Sequence, residues 1–394
     1  MSRIAKIVWL FGLTQVIGYG TLYYSFAIIS GDVAKSFGWS QSDFFLAFTV
    51  ALASGGLIAP RMGRMLDRYG AARVMAWGSV ASALAMLALA VAPSGRLFAA
   101  ALILVQLAST FVLYDAAFTA LVQATGGRAQ KRIVHLTLIA GFASSLFWPL
   151  ASWLDPILGW RNLVAAYALA NLLICAPVHA LIARWGREID GTTVAGAASP
   201  AAPAGELRPE QRRRAFLLVA TGFALSSFAL SAVLSQMVPM LTALGFGATA
   251  LAVSTLFGPA QFAVRFINML VGSKRHPVVV TLIGVSFLPL GLFVVAAAAP
   301  AEAAALIFVV LVGLSSGLKS IVQGTLTLAL FGSEGFGSRT GLLASSRYMM
   351  GALAPFAYSW TVTQTTAAVA TTLFGIIGAI AVLAFVEIAR MLRR

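Results

Sequence analysis

Polar positions are sparse along this chain and fall in clusters. Between the clusters run long, mostly apolar stretches, twelve in all, at roughly 7–30, 43–66, 72–93, 97–125, 133–154, 161–183, 213–243, 249–273, 277–299, 303–331, 338–363 and 366–389. Each meets the ~20 apolar residues that a helix needs to cross a bilayer. In lipid every backbone polar group must be satisfied internally, which leaves only helices or a closed barrel. Long continuous runs, rather than short alternating ones, select helices. The pattern therefore predicts an all-α polytopic membrane protein with twelve transmembrane helices. The first run is too long for the apolar core of a signal peptide, and no small-residue cleavage site follows it, so it reads as a retained helix.

Composition narrows the classes further. Hydrophobic residues make up 60% of the 394 and charged residues only 10%, against ~25% charged in a soluble domain. That supply cannot cover a water-exposed surface, which excludes a soluble enzyme or a nucleic-acid-binding domain despite the +15 charge. The basic residues are placed topologically. With the N-terminus inside, 21 of the 27 Lys and Arg fall on inside segments and span edges, including Arg61, Arg64, Arg68, Arg73, Arg128, Arg187, Lys274 and Arg394. Lys35, Arg96 and Arg161 alone fall outside. This asymmetry predicts that both termini are cytoplasmic, with the basic side facing anionic lipid. Cys175, the single cysteine, lies inside a span and reads as a small buried hydrophobe.

One long break, 186–211, is rich in Ala, Gly, Pro and Thr and reads as a flexible linker. It separates an N-terminal six-helix half, 1–185, from a C-terminal one, 212–394. Equal halves are the layout of transporter repeats. The loop after the second span reads Gly63-Arg-Met-Leu-Asp67-Arg68-Tyr-Gly70-Ala-Ala-Arg73. Gly allows close helix approach, and Asp67 is suited to cap a neighbouring helix N-terminus. The loop resembles the G-x-x-x-D-R-x-G-R-K signature of the major facilitator superfamily. Gly63, Asp67, Arg68 and Gly70 match; Ala71-Ala72 replace the basic pair, and Arg73 stands one place late. The resemblance implies the two-half major facilitator fold, transport by alternating access, and a conformational latch built from Gly63, Asp67, Arg68, Gly70 and Arg73. LYDAAF in span 4, GFASSLFWPL in span 5 and GWR at 159–161 resemble a large bacterial branch of that superfamily, which implies the cytoplasmic (inner) membrane and a monomer.

Ionisable groups at membrane depth are costly and mark function or a partner. Asp115 in span 4, Arg265 in span 8, Lys319 in span 10 and Arg347 in span 11 sum to +2. Excess buried positive charge calls for an anion, and the guanidinium fork matches a carboxylate or phosphate. Gln261 and Asn268 flank Arg265, and Tyr348 adjoins Arg347. The bland alternative is that each Arg snorkels or pairs with backbone or with Asp115. Asp115 reads either as a proton-coupling carboxylate or as a fixed counter-ion. Lys319, near Gln323, reads either as a third anion contact or as the partner of Asp115. Gln15, Tyr19 and Tyr23 share one helical face of span 1 and suggest cavity lining, against an interfacial aromatic belt; Gln236 in span 7 is read the same way.

In position, Arg265 and Arg347 resemble the span 8 and span 11 basic residues of oxalate:formate antiporters and monocarboxylate transporters. That resemblance implies a carboxylate substrate. The function expected is secondary transport of a small mono- or dicarboxylate, by exchange or with protons. Proton-coupled efflux of amphipathic drugs is the alternative, though span 5 lacks the G-P-x-x-G-G element of drug antiporters. Gly313-Leu-Ser315-Ser-Gly317 fits the hydrolase elbow in letters only, since that motif needs a strand-turn-helix setting; small-residue helix packing accounts for it. The three His are isolated and no Walker A sequence occurs, so no enzyme activity, metal or cofactor is expected.

Overall fold

The computed structural model describes residues 3–126, 129–193, 205–272 and 275–393, the side chains of 187–193 excepted. Residues 194–204 of the 186–211 linker, and Arg128, Lys274 and Arg394 of the basic tally, lie outside the described residues. The described chain is helical, and it divides into two compact units. The first comprises Met1–Ala204 with Gly332–Ser345, the second Gly205–Phe331 with Ser346–Arg394.

In the first unit the helices are α1 (Arg3–Tyr19), α2 (Ser25–Phe37), α3 (Gln41–Tyr69), α4 (Ala71–Ala90), α5 (Gly95–Ser109), α6 (Tyr114–Thr125), α7 (Ala129–Ala140), α8 (Ala143–Ala170) and α9 (Ala176–Thr193). The second contains α10 (Pro209–Leu241), α11 (Thr249–Ser254), α12 (Phe257–Leu270), α13 (Pro277–Ala298), α14 (Glu302–Phe331) and α16 (Ala367–Arg393). Helix α15 (Phe336–Gln364) contributes its first ten residues to the first unit and the rest to the second.

Ten helical stretches among the described residues are long and apolar enough to cross a membrane. One of them, Ala129–Gly186, has 58 residues, nearly three times what a crossing needs. Gly159, at φ 73° and ψ 152°, interrupts it in a conformation that only Gly adopts readily. Helix α15 has 29 residues, but Arg339, Arg347 and a run of small polar residues leave it less apolar than the ten.

Several apolar runs that read as single helices are not continuous. Span 4 is cut at 110–113, between α5 and α6. Span 5 is interrupted between α7 and α8, and span 8 between α11 and α12. Spans 1 and 6 pass through single π turns at Gly20–Tyr24 and Asn171–Cys175. A polar side chain from elsewhere in the unit answers the loosened turns in spans 1 and 4, and an asparagine of the span 6 turn reaches across to span 1. Gln106 donates to the Leu22 carbonyl at 2.9 Å, Gln15 to the Val112 carbonyl at 2.7 Å, and Asn171 to Thr21 Oγ1 at 2.9 Å. Freed backbone groups in lipid need such partners, and no Gly or Pro marks the span 4 cut.

Helix association in lipid relies on close packing rather than on water exclusion, and the second unit uses the GLSSG segment for it. A methyl group added to Gly313 would stand 2.7 Å from Ala260 Cβ, and one on Gly317 would run into Val264 and the Gln261 carbonyl. These contacts set α12 and α14 side by side, 313 against 257 and 260, and 317 against 261 and 264. The outer faces stay apolar: Trp77, Leu57, Leu84, Phe356 and Leu383 are each more than half exposed, as lipid-facing residues should be.

Candidate functional site

In the first unit, α3 ends at the signature loop. Asp67 accepts hydrogen bonds from Gly337 N at 2.8 Å, Ser338 N at 2.7 Å and Ser338 Oγ at 2.6 Å. These are the orphan donors of the first turn of α15, and a carboxylate there also meets the positive end of the helix dipole. The approach demands small residues. A methyl on Gly63 would run into the Gly337 carbonyl, and one on Gly337 would stand 2.6 Å from Asp67 Oδ1. Gly70, at φ 84°, turns the chain from α3 into α4. Gln123 holds both sides of this turn, donating to Leu66 O at 3.0 Å and accepting from Ala71 N at 2.8 Å. Sequence reasoning missed Gln123, although a glutamine near the end of an apolar span was a visible signal. Arg68 and Arg73 are exposed, Arg68 lying over its neighbour Tyr69 at 5.3 Å; neither joins the cap.

Asp115 lies in the first turn of α6, directly after the cut in span 4, and is 4% exposed. The cut thus places its carboxylate near a helix N-terminus inside the unit, where negative charge is favoured. Gln15 is fully buried and its Oε1 makes no hydrogen bond; its amide is used by the cut itself. Tyr19 packs on Tyr114 with ring centroids 4.6 Å apart. Tyr23 does not stay with Gln15 and Tyr19, contrary to the i, i+4, i+8 expectation. The π turn at Gly20–Tyr24 adds a residue to that turn, and Tyr23 is 41% exposed, packed against Phe48 and Tyr24. Elsewhere in the unit His179, isolated in the sequence, is buried between Ser79 Oγ and Thr14 Oγ1, each at 2.9 Å. Thr14 donates to Phe11 O, so it accepts from His179 Nε2, and Ser79 donates to Nδ1.

In the second unit, Arg265 on α12 is 5% exposed, and its buried Nε has no hydrogen-bond partner. Gln261, one turn earlier, donates to Ser316 Oγ on α14 at 2.8 Å. The register fixed by Gly313 and Gly317 carries forward one further turn on both helices and brings Arg265 and Lys319 to the same level. Lys319 is half-buried and close enough to Arg347 to feel its charge. Arg347 is 5% exposed and lies 6.0 Å from the Tyr348 ring. Asn268, 7% exposed, is one turn beyond Arg265 and packs against Gly272. Gln323 is half-buried on α14, one turn beyond Lys319. Gln236 sits apart, donating to Ser359 Oγ at 3.1 Å.

The second unit offers these cations no carboxylate at their depth. It contains no Asp, and its Glu residues are 206, 210, 302 and 387. Glu206 bonds His276 at 2.7 Å and Glu387 bonds Arg214 at 2.7 Å, while Glu210 and Glu302 open α10 and α14. No group of three or more His, Cys, Asp or Glu that could hold a metal occurs among the described residues.

The profile of the Major Facilitator Superfamily matches residues 10–355. The chain belongs to that superfamily. Its members are transporters, not enzymes, and this chain is accordingly a multi-pass secondary active transporter of a small molecule. Among solved structures, the proton:xylose symporter XylE bound to 6-bromo-6-deoxy-D-glucose is similar at 16% identity and a TM-score of 0.70, covering 96% of this chain and 95% of that one. The human organic anion transporter MFSD10 (TETRAN) is similar at 14% identity and a TM-score of 0.71, covering 97% of this chain and 99% of that one. At such identities the likeness speaks to the fold. No curated protein matches the sequence.

Proposed function

We propose that this transporter moves a small organic anion, a mono- or dicarboxylate, and that Arg265 with Lys319 forms the core of its anion site. Arg265 carries the reading. It is a permanently charged fork, almost fully buried, with an unused donor, level with Lys319 of the neighbouring helix, in a unit that has no Asp and whose Glu residues are 206, 210, 302 and 387. Leaving such a charge uncompensated costs several kcal/mol, so an anionic ligand is the natural complement. Gln261, Asn268, Gln323, Tyr348 and Arg347 supply the polar surroundings. The two structural relatives are named for different cargo, a sugar and an organic anion, so the fold leaves the substrate to the site. The carboxylate class also agrees with the span 8 and span 11 resemblance to oxalate:formate and monocarboxylate carriers.

In this reading the chain spans the cytoplasmic membrane twelve times, with both termini inside. The Gly159 break and the length of α15 support that count. Excess positive charge resists reorientation when the site is empty and permits it when an anion is bound, which favours exchange. Asp115 adds anion–proton symport if it titrates during the cycle. Asp67 acts as the latch, since its cap on α15 must open for the start of that helix to leave the first unit.

The test is thermal unfolding of the purified protein in detergent against small carboxylates, phosphates and amphipathic cations. A ligand at about 100 times its Kd stabilises by about 2.7 kcal/mol. Protection by carboxylates that vanishes in Arg265→Gln is the expected result. Protection by amphipathic cations alone overturns it in favour of drug efflux.

A further inference from the structure

Two carboxyls at the end of the first unit remote from Asp67 take part in neither the cap nor the anion site. Asp155 is on α8, one turn before the Gly159 break, and is 7% exposed. Asp32 is on α2, which packs against α8, and is exposed. Phe147 of α8 packs on Gly20 and Trp148 on Tyr24; continuing along both helices from these contacts brings Asp155 level with Asp32, close enough to feel its charge. The Asp155 Oδ1 is buried and accepts no hydrogen bond. The Tyr167 hydroxyl, on the same helix and 5% exposed, is near enough to Asp155 to sense its charge.

Ionised carboxylates are acceptors only. Two of them side by side repel, and the contact becomes a hydrogen bond only when one carries a proton. The cations at this end are engaged elsewhere or face solvent. Arg161 donates to Ala90 O at 2.7 Å and lies 4.4 Å over the Trp160 ring, while Lys35 is exposed. The other titratable groups offer no positive charge: Tyr24 packs on Trp148, Tyr23 on Phe48, Cys175 is buried, and Asp43 is held by Ser40. The pair is also mechanically anchored. Trp160 Nε1 donates to Ser36 Oγ at 2.9 Å, which donates to the Asp32 carbonyl at 2.7 Å.

We propose that Asp155 and Asp32 form a proton-binding site, distinct from the Arg265 site, in which one shared proton fastens α2 to α8. Exposed Asp32 gives the proton its route to solvent. Its loss leaves a buried carboxylate with an unsatisfied oxygen beside a second negative charge, and the contact loosens. An aspartate of the unfolded chain releases its proton at pH ~4, so above that the folded state holds a proton that the unfolded chain lacks, and stability falls as pH rises until the folded pair lets it go. The inference does not depend on what the substrate is.

The experiment uses the full chain in detergent, comparing wild type with Asp155→Asn, Asp32→Asn and Arg265→Gln. Infrared difference spectra in H2O and D2O report protonated carboxyl groups, and unfolding temperature is followed from about pH 5 to about pH 8. The expected result is a carboxylic-acid carbonyl band that titrates, is lost in Asp155→Asn and persists in Arg265→Gln. The same Asn variant flattens the pH slope of unfolding, because an amide donates to Asp32 without needing a proton. If Asp155→Asn fails to fold, Asp32→Asn, at an exposed position, must remove the same band. A band and slope unchanged in both Asn variants overturn the proposal. So does saturable stabilisation by Na+ at fixed pH that disappears in Asp155→Asn, which would make the pair a cation site.

Discussion

The two units treat buried polarity in opposite ways. In the first, polar side chains repair the backbone. Gln15, Gln106, Asn171 and Gln123 each answer a main-chain group at a cut or turn, and Asp67 answers two at the start of α15. In the second, the buried polar side chains include two cations, Arg265 and Arg347, and the Arg265 Nε has nothing to bond. A polar group whose partner is the backbone is structural, and its loss is felt in stability. A buried cation with a donor to spare is held ready for a ligand, and its loss is felt in binding. The contrast makes separable predictions for mutations of equal chemical size.

Arg265→Gln should have the largest effect and only on function. Removing one side of a buried charge pair costs about 2–5 kcal/mol of binding, so anion affinity should fall at least ~30-fold. Counterflow into proteoliposomes should vanish while the unfolding temperature without ligand stays level or rises. Wild-type counterflow in that variant would erase the distinction between the units. Next comes Gly63→Ala, where the new methyl meets backbone that cannot swing aside. Overpacking of this kind costs about 1–3 kcal/mol. Gly258→Ala on α12, with nothing within 4 Å of the added carbon, should be neutral or slightly stabilising in the same melt.

Asp67→Ala should lower stability by about 1–2 kcal/mol through the lost cap and should alter transport rate without weakening equilibrium anion binding by the Arg265 site. Gln15→Leu is the purest test of the repair role. It leaves the Val112 carbonyl unanswered, at about 1–3 kcal/mol, and should shift the melt while leaving carboxylate protection intact.

Much of this was legible in the chain itself. Apolar run lengths gave helices, Gly313 and Gly317 were readable as packing residues, and Asp67 announced itself as a cap in search of a helix. The identity of that helix was not readable, because its donors are main-chain groups 270 and 271 residues away. The cut at 110–113 was equally hidden. It carries no Gly or Pro, and the group that makes it tolerable is Gln15, 97 residues earlier. The π turn in span 1 defeated a face assignment built on regular helix periodicity and carried Tyr23 out of line. In each case the local sequence favoured regular helix, and a distant amide or carboxylate made the exception affordable.

The Asp67 cap has a further consequence for genetics. Two of its three donors are peptide N–H groups, which no substitution at 337 or 338 short of proline can remove. Apart from Gly337, where a side chain would crowd the carboxylate, the contact is therefore vulnerable from the Asp67 side. Second-site revertants of an Asp67→Ala strain should not cluster at the donors. They should bring a new acidic side chain to the start of α15, or lengthen one already within reach of it.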